Sequence, residues 1–243
     1  MAADSKLADH RANRLLAALE ADDFAPLEPF LEIVTLEQGQ VLYETGEMLR
    51  YAYFPHDAMV SLVTVMENGR SVEMAVFGRE ALFGLVSAMV SREALGRYVV
   101  HLPGTASRIE IDRVLQAIAT HPALRRLFLR FTEVLFATVL LSVACNAVHS
   151  VEARCCRWLL STRDRVERNS LPLTHEVLAA MLGVERSTVS LVMKRLHTAG
   201  LITQGRGIIT VTNCEGLEEA SCECYGRIRQ KFERLLPGSY PLD

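Results

Sequence analysis

Hydrophobic positions change their spacing twice along the chain. The first thirty residues place leucines at helical spacing, which predicts one or two short helices that cover part of the next domain. These leucines are Leu7, Leu15, Leu16 and Leu19. From about residue 33 to residue 111, short β-rich runs alternate with turn residues such as Asn68-Gly69 and Pro103-Gly104. The runs are "VLYE", "YAYF", "MVSLVTVM", "VEMAVF", "RYVVHL" and "SRIEI". Many short strands at this spacing predict a sandwich or a barrel-like roll.

From Pro122 the spacing becomes that of a long helix, "PALRRLFLRFTEVLFATVLLSVACNAVHS". Side chains at three- and four-residue intervals predict a seam for a partner helix, and they are Leu124, Leu127, Phe128, Phe131, Leu135, Thr138, Leu141 and Ser142. Positions 134–151 carry no charge, so a membrane span is an alternative. The strongly apolar part covers only about eleven residues, whereas a span needs about twenty. The pattern therefore favours a dimerisation helix and no membrane contact.

A second amphipathic helix, "VEARCCRWLLSTRDRV", precedes the segment "LTHEVLAAMLGVERSTVSLVMKRLHTAGLI". In this segment Thr174 is a suitable N-cap for a helix that ends at Leu182, because its hydroxyl can accept from a free backbone N–H. Gly183 suits the left-handed residue after that helix, and the next helix is expected to begin near Glu185. Two short helices joined at a glycine predict a helix-turn-helix.

The second of these helices separates apolar from polar side chains. Its packing face holds Val189, Val192, Met193 and Leu196, and its other face holds Arg186, Ser187, Ser190 and Lys194. The following segment, "LITQGRGIITV", predicts a wing hairpin with Arg206 at its tip. A solvated helix face is the ordinary explanation for such polar residues. The glycine turn, the wing and the upstream dimerisation helix favour DNA binding instead.

The distribution of charge supports this interpretation. The whole chain has a formal net charge of −3. Residues 149–213 nevertheless contain nine Lys or Arg against five Asp or Glu, so one region of an acidic chain is basic. The N-terminus lacks the pattern of a secretory signal, so we expect a cytoplasmic protein.

The order of a strand-rich roll, a long helix and the segment "LPLTHEVLAAMLGVERSTVSLVMKRLHTAGLI" with its wing resembles the Crp/Fnr family of bacterial transcription regulators. The resemblance implies an α+β fold: a β-roll (double-stranded β-helix, jelly-roll-like) sensor over 1–121, a dimerisation helix over 122–150, and a winged helix-turn-helix with a helical extension over 151–243. It also implies a homodimer on a two-fold symmetric double-stranded DNA operator, with RNA polymerase as a further partner.

Carrying over the base-reading positions of the family gives a mixed pattern. Arg186 matches an arginine that reads guanine in one branch, and Ser190 matches a serine in another. Ser187 stands where Glu is common and Leu191 where Arg is common, so the usual half-site is not expected. Arg186 can bind guanine O6 and N7, and Leu191 can contact only a thymine methyl. Phosphate contacts are expected from Lys194, Arg206, Thr174 and Thr188.

The sensor departs from the nucleotide-binding members of the family. The resemblance places a ribose- and phosphate-binding cassette in "VFGREALFGLVSAMVSREALGRYVV", with Gly84, Leu85, Arg97 and Tyr98 as candidate effector-binding residues. Leu85 occupies the position of a glutamate and cannot accept a hydrogen bond from ribose, and Tyr98 replaces Ser or Thr. Glu80 can take the place of the family's glutamate only if the cassette is shifted along the sequence. We therefore do not expect ordinary binding of cyclic AMP, and the sequence leaves open what the effector is and whether the protein has one.

The cysteines and histidines show no ligand spacing. No cysteine precedes Cys145, which excludes an N-terminal iron–sulfur site, and the histidines form no haem-ligand pattern. Cys155 and Cys156 are expected in a helix, while Cys222 and Cys224 are the better candidates for metal or redox chemistry. Their spacing is not that of a zinc motif, so we expect no metal and no cofactor.

Three functions thus compete. We find no phosphate-binding glycine loop, nucleophile elbow or metalloprotease helix, so we expect no enzyme. The leading hypothesis is a transcription regulator whose DNA affinity is set at the roll. One alternative is a sensor and dimerisation protein that acts through protein contacts, and another is a regulator that responds to redox or metal through Cys222 and Cys224.

Overall fold

A computed structural model describes residues 9–69 and 71–240, so Leu7 lies outside the described residues. Short helices open it: 3₁₀ turns at His10–Ala12 and Glu28–Phe30, with α1 (Arg14–Ala17) and α2 (Ala21–Phe24) between them. Leu15, Leu16 and Phe24 join the core of the following roll. The predicted covering helices are therefore confirmed.

Seven strands form the roll: β1 (Glu32–Leu36), β2 (Val41–Tyr43), β3 (Tyr51–Pro55), β4 (Met59–Val65), β5 (Ser71–Phe77), β6 (Arg97–Leu102) and β7 (Gly104–Glu110). They pair antiparallel in two sheets, in the orders β1-β7-β3 and β2-β6-β4-β5. The short helix α3 (Leu85–Ala88) lies between β5 and β6. Alternate residues of β6 are buried, as in a strand with one face toward a core. The predicted roll is confirmed.

The strand β4 is buried on both faces, which explains why it is apolar except at Ser61 and Thr64. Val60 and Leu62 belong to the core inside the roll. Met59 and Val63 belong to a second core that they share with the C-terminal helices. The C-terminal part of the chain therefore packs directly on the outer face of the four-stranded sheet.

After the roll, α4 (Ile111–Thr120), which the sequence did not predict, leads into α5 (Pro122–Val148) and α6 (Val151–Val166). A three-stranded sheet (β8, Ser170–Leu171; β9, Ile202–Gly205; β10, Ile208–Val211) accompanies α7 (His175–Leu182) and α8 (Arg186–Thr198). The chain continues through α9 (Cys214–Glu219) and α10 (Cys224–Leu235).

The prediction that this seam of α5 faces a partner helix is wrong. Leu124, Phe128 and Phe131 are buried in the core of their own chain, and Leu135 and Leu141 pack against it. Other apolar side chains of the helix are exposed, namely Leu129, Phe136, Leu140, Val143 and Val148. The first four are separated by seven, four and three residues, which is the spacing of a coiled-coil seam. The helix is apolar on two faces, and the sequence pattern alone did not show which face turns inward.

The short apolar run in the sequence argued against a membrane span. The length of α5 contradicts that argument. Its 27 residues contain an 18-residue window with a mean hydropathy of 1.9, of which 17% is buried. By length and composition this helix is able to cross a membrane, but one such helix is weak evidence for a membrane span. The coiled-coil spacing of its exposed leucines and valine distinguishes a helix-pairing face from a uniformly lipid-facing one.

The predicted helical extension after the wing, "EGLEEASCECYGRIRQKFERLL", is broken between α9 and α10. The Ser221 hydroxyl donates to the carbonyl oxygen of Glu218, a local bond that competes with helix continuation. The break lets α10 turn back, and its Ile228 and Phe232 pack in the core shared with α5 and the roll. The extension braces α5 as well as the helix-turn-helix.

Polar contacts join the roll to α6. The buried Arg165 guanidinium lies 2.8 Å from a carboxylate oxygen of buried Glu80. On β5, the Glu73 carboxylate accepts from the Trp158 indole at 3.0 Å and from the Ser61 hydroxyl at 2.7 Å. The residue Glu73 keeps some exposure, but its carboxylate is surrounded by protein. Burial raises the pKa of the Glu73 carboxyl to about 7, although both hydrogen bonds lower it.

We expect Glu73→Gln to flatten the pH dependence of stability. Folded Glu73 keeps its proton where the unfolded chain has lost it, so its contribution falls as pH rises from about 4.5 to about 7. This shift corresponds to at most about 3 kcal/mol. The free energy of unfolding, measured by urea titration between about pH 5 and pH 8, should fall by up to about 3 kcal/mol more in wild type than in the variant. An exposed control, Glu67→Gln, should behave as wild type. Identical profiles for wild type and Glu73→Gln would contradict this assignment.

Candidate nucleic-acid interface

The two helices of the helix-turn-helix are fixed by local capping. The Thr174 hydroxyl accepts from the backbone N–H of Val177, and Gly183 ends α7 with φ +65°. At the same end, the buried Arg154 guanidinium of α6 donates to the carbonyl oxygen of Leu182. A cation there also suits the negative end of the helix dipole. The predicted N-cap, helix end and turn are confirmed.

The faces of α8 separate as the sequence predicted. Its buried side is Val189, Val192, Met193 and Leu196. The sequence-predicted contact residues Arg186, Ser187, Leu191 and Lys194 are exposed, and Thr188 and Ser190 are half-buried. Leu191 is 52% exposed although it is a large apolar side chain. One face of α8 therefore holds the helix in the core, while the other is free to contact a partner.

A hydrogen-bonded network joins α7, α8 and the wing. The Gln204 amide nitrogen donates to the carbonyl oxygen of Met193, which turns its amide oxygen toward His175 Nε2 at 2.8 Å. His175 Nδ1 lies 3.1 Å from the Ser190 hydroxyl, which lies 3.0 Å from the carbonyl oxygen of Arg186. The Gln204 amide oxygen makes Nε2 the donor of the neutral ring, and the single Ser190 hydroxyl proton is directed either to the Arg186 carbonyl oxygen or to Nδ1. Sequence spacing did not indicate His175 and Gln204, because the network forms only in three dimensions.

The wing is the hairpin of β9 and β10. Ile208 pairs with Gly205, so Arg206 and Gly207 form the two-residue loop at its tip. Gly207 has φ +74°, a conformation that favours glycine. The strand β8 adds to the other edge of β10 and anchors the wing to the segment before α7. Arg206 is exposed at the tip, as predicted.

An open groove of about 500 Å³ lies between the start of α7, the start of α8 and the wing. Thr174, His175, Arg186 and Gln204 line it. The Arg186 guanidinium lies 3.4 Å from a carboxylate oxygen of Glu176, with side-chain exposures of 68% and 81%. Such an exposed pair contributes little stability, so Arg186 can exchange this partner for another acceptor.

The candidate effector residues do not come together. A cavity of about 330 Å³ lies between the roll and α5, and Gly84 and Tyr98 line it. Leu85 is buried outside this lining. Arg97 lies at 2.8 Å from Glu44 on the surface. The remaining lining is apolar apart from two hydroxyl groups, and its members are Leu62, Met74, Ala75, Phe77, Leu82, Phe83, Val86, Ser87, Leu95, Thr132, Leu135, Phe136 and Val139. Burial raises the pKa of Tyr98 to about 12, so the cavity offers a neutral hydroxyl and no charge among the described residues.

A second polar cluster, which spacing along the chain did not predict, lies at the end of α5. It brings Cys145 and His149 together with Cys222 and Cys224. Cys155 and Cys156 are buried in the apolar core of α6, as expected. Only the tertiary structure reveals this cluster, because its two halves are more than 70 residues apart in sequence.

Family models match two parts of the chain. Residues 33–121 match the cyclic nucleotide-binding domain, and residues 153–220 match the Crp-like helix-turn-helix domain. The first range covers the roll, and the second runs from α6 through the wing to the end of α9.

Over most of its length the chain is similar to known transcription regulators. The chain is 23% identical over 197 residues to a global nitrogen regulator of Synechocystis sp., covering 77% of this chain and 87% of that protein. It is 22% identical over 203 residues to the HTH-type transcriptional regulator Cmr of Mycobacterium tuberculosis, covering 83% of this chain and 81% of that protein. A crystal structure of a putative transcriptional regulator of the crp/fnr family from Eubacterium rectale superposes with a TM-score of 0.64 at 17% identity, covering 86% of this chain and 98% of that one, which shows a shared fold.

Proposed function

Because the chain belongs to the Crp/Fnr family of DNA-binding transcription regulators, we propose that it reads a two-fold symmetric operator through the exposed face of α8. The observation that carries the proposal is the position of Arg186. It begins α8, is 68% exposed and borders the groove between α7 and the wing. In a helix-turn-helix, the N-terminal residues of the second helix contact base edges.

The other side chains divide by what they can bind. Ser187 and Leu191 face outward beside Arg186 and supply a hydroxyl and a methyl contact to bases. Lys194, Thr174, Thr188 and Arg206 bind phosphates, which sets affinity and salt dependence. Ser190 has a different role, because its hydroxyl already bonds His175 and the backbone of Arg186. It orients α8 against α7 and the wing.

We expect Arg186→Ala and Arg206→Ala to change DNA binding in different ways. On an operator selected from a random duplex pool, Arg186→Ala should lose about 1–3 kcal/mol of binding at one base position and relax the preference there. Arg206→Ala should weaken binding to all sequences alike and reduce the slope of log K against log salt by about one. Fluorescence anisotropy over a salt series measures both quantities.

An arginine outside the interface serves as the control. Arg92 pairs with Asp112 of α4, so Arg92→Ala removes the same charge outside the helix-turn-helix and the wing. If Arg186→Ala bound every sequence as the Arg92 variant does, the base-reading assignment would be wrong. If wild type bound no DNA with salt dependence, the alternative of a protein that acts through protein contacts would be favoured.

Regulators of this family act as dimers, and we propose that Leu129, Phe136, Leu140 and Val143 of α5 form the seam. Leu140→Glu should then place like charges across the two-fold axis. We expect a monomer in sedimentation experiments and a loss of operator binding of at least tenfold, since each half-site alone binds weakly. Val90 is 91% exposed in the roll, and Val90→Glu should remain dimeric. A dimeric Leu140→Glu protein would rule out this seam.

We propose that the effector is an uncharged, largely apolar small molecule in the 330 Å³ cavity beside α5. A cyclic nucleotide carries a phosphate, and the described lining offers no cation to pair with it, so its burial there is costly. Since α5 forms one wall, a ligand there contacts the same helix that carries the dimer seam. Occupancy would shift the pairing of the two α5 helices and hence the spacing of the two recognition helices.

We expect cyclic AMP at millimolar concentration to leave Tm unchanged. N-phenyl-1-naphthylamine, an uncharged probe that fluoresces in apolar surroundings, should bind wild type. Val86 lines the cavity and Val90 does not, so Val86→Trp should abolish the signal while Val90→Trp keeps it. Stabilisation by cyclic AMP, or probe binding that Val86→Trp does not affect, would contradict the assignment.

We further propose that residues 1–121, 122–150 and 151–243 act as sensor, dimerisation helix and DNA-binding module. The relatives are transcription regulators, and soluble ones. The protein then acts in the cytoplasm without catalysis, and its output is contact with RNA polymerase at the promoter. Transcription in vitro from a template that carries the selected operator tests this output.

A further inference from the structure

Four potential metal ligands converge where α5 ends. Cys145 lies in the last turn of α5, and His149 follows that helix. Cys222 lies in the break between α9 and α10, and Cys224 is the first residue of α10. One ligand atom from each residue falls within 4.8 Å of all the others, and the three cysteines are buried and free.

The separations fit one tetrahedral ion. Cys145 Sγ lies 3.5 Å from Cys222 Sγ, and Cys224 Sγ lies 3.7 Å from His149 Nδ1. With zinc–sulfur bonds of about 2.3 Å and zinc–nitrogen bonds of about 2.0 Å, ligand atoms at tetrahedral angles are separated by about 3.5–3.8 Å. The four side chains therefore need little movement to share an ion.

The orientation of His149 is the second observation. Its Nε2 lies 3.0 Å from a carboxylate oxygen of Glu223, and its Nδ1 faces the thiols. The carboxylate favours the tautomer with the proton on Nε2, which leaves the Nδ1 lone pair directed at the cluster. Histidines that ligate a metal characteristically bond a carboxylate through the other ring nitrogen.

Charges around the cluster suit three thiolates. Zinc with three thiolates and one imidazole has a net charge of −1, which is costly to bury unless cations lie close. Arg154 and Arg157 of α6 are near enough to interact electrostatically with Cys145. Among the described residues, the buried Nε atoms of both arginines have no hydrogen-bond partner. Their positive charge is therefore available to offset a negative metal site.

From this geometry we propose that Cys145, His149, Cys222 and Cys224 bind one zinc ion. Four protein ligands in a buried site leave no open position, which is typical of a structural site. The ion would join the end of α5 to the start of α10 and the break that precedes it. The backbone turns at His149, where α5 passes to α6, so the ion would fix the junction between the dimerisation helix and the DNA-binding module.

Metal analysis of the full-length protein, purified under reducing conditions without chelator, tests the proposal. We expect about one zinc per chain, and its loss in Cys222→Ser and His149→Ala. Cys214 is partly exposed and outside the cluster, so Cys214→Ser should retain the metal. Protein without metal, a disulfide between Cys145 and Cys222 in the reduced preparation, or iron in place of zinc would overturn the proposal.

A milder variant covers the case in which ligand replacement prevents folding. Glu223 bonds His149 without being a ligand, so Glu223→Gln should keep the fold and lower zinc affinity by about 10–100-fold in a chelator competition. Apo protein titrated with Co²⁺ should show the absorption of a tetrahedral thiolate site, which zinc then displaces. Unchanged affinity in Glu223→Gln, or a Co²⁺ spectrum without thiolate bands, would show that the four residues only pack together.

Discussion

The burial of α6 between the roll and the helix-turn-helix is the constraint on which the rest of the molecule depends. Eleven of its sixteen residues are buried, and several of them are polar or charged. Buried charges are costly unless they are paired, so each must meet a partner in a fixed place. Arg165 meets Glu80 of the roll, and Arg154 meets the end of α7. These pairings define how the DNA-binding module sits on the sensor.

The same arrangement gives a route from the sensor to DNA. The cavity beside α5 touches the helix that carries the exposed seam, and α5 passes directly to α6 at His149. The α6 helix in turn packs on α7 and α8. We propose that a small change in the packing of α5 would be passed through these helices to the recognition face, as a two-state shift requires. A zinc ion at the end of α5 would stiffen this route at its one break in helical structure.

The local features of the DNA-binding module were predictable from sequence because each depends on a few neighbouring residues. Thr174, Gly183 and the spacing of Val189 and Val192 define the two helices without information from elsewhere. The seam of α5 was not predictable, since two faces of that helix are apolar and only the fold decides which is covered. The cysteine cluster was missed for the same reason: its halves meet through α10, which turns back after a break that helical periodicity does not reveal.

Selection of preferred sites from a random duplex pool by the full-length protein tests most directly whether α8 reads DNA as part of a dimer. The expected result is one enriched, two-fold symmetric site whose half-sites are about one helical turn apart, with a guanine in each half-site at the position that Arg186 reaches. No enriched sequence, or an asymmetric site read by a single chain, would contradict the structure-based proposal that two copies present this helix to the major groove.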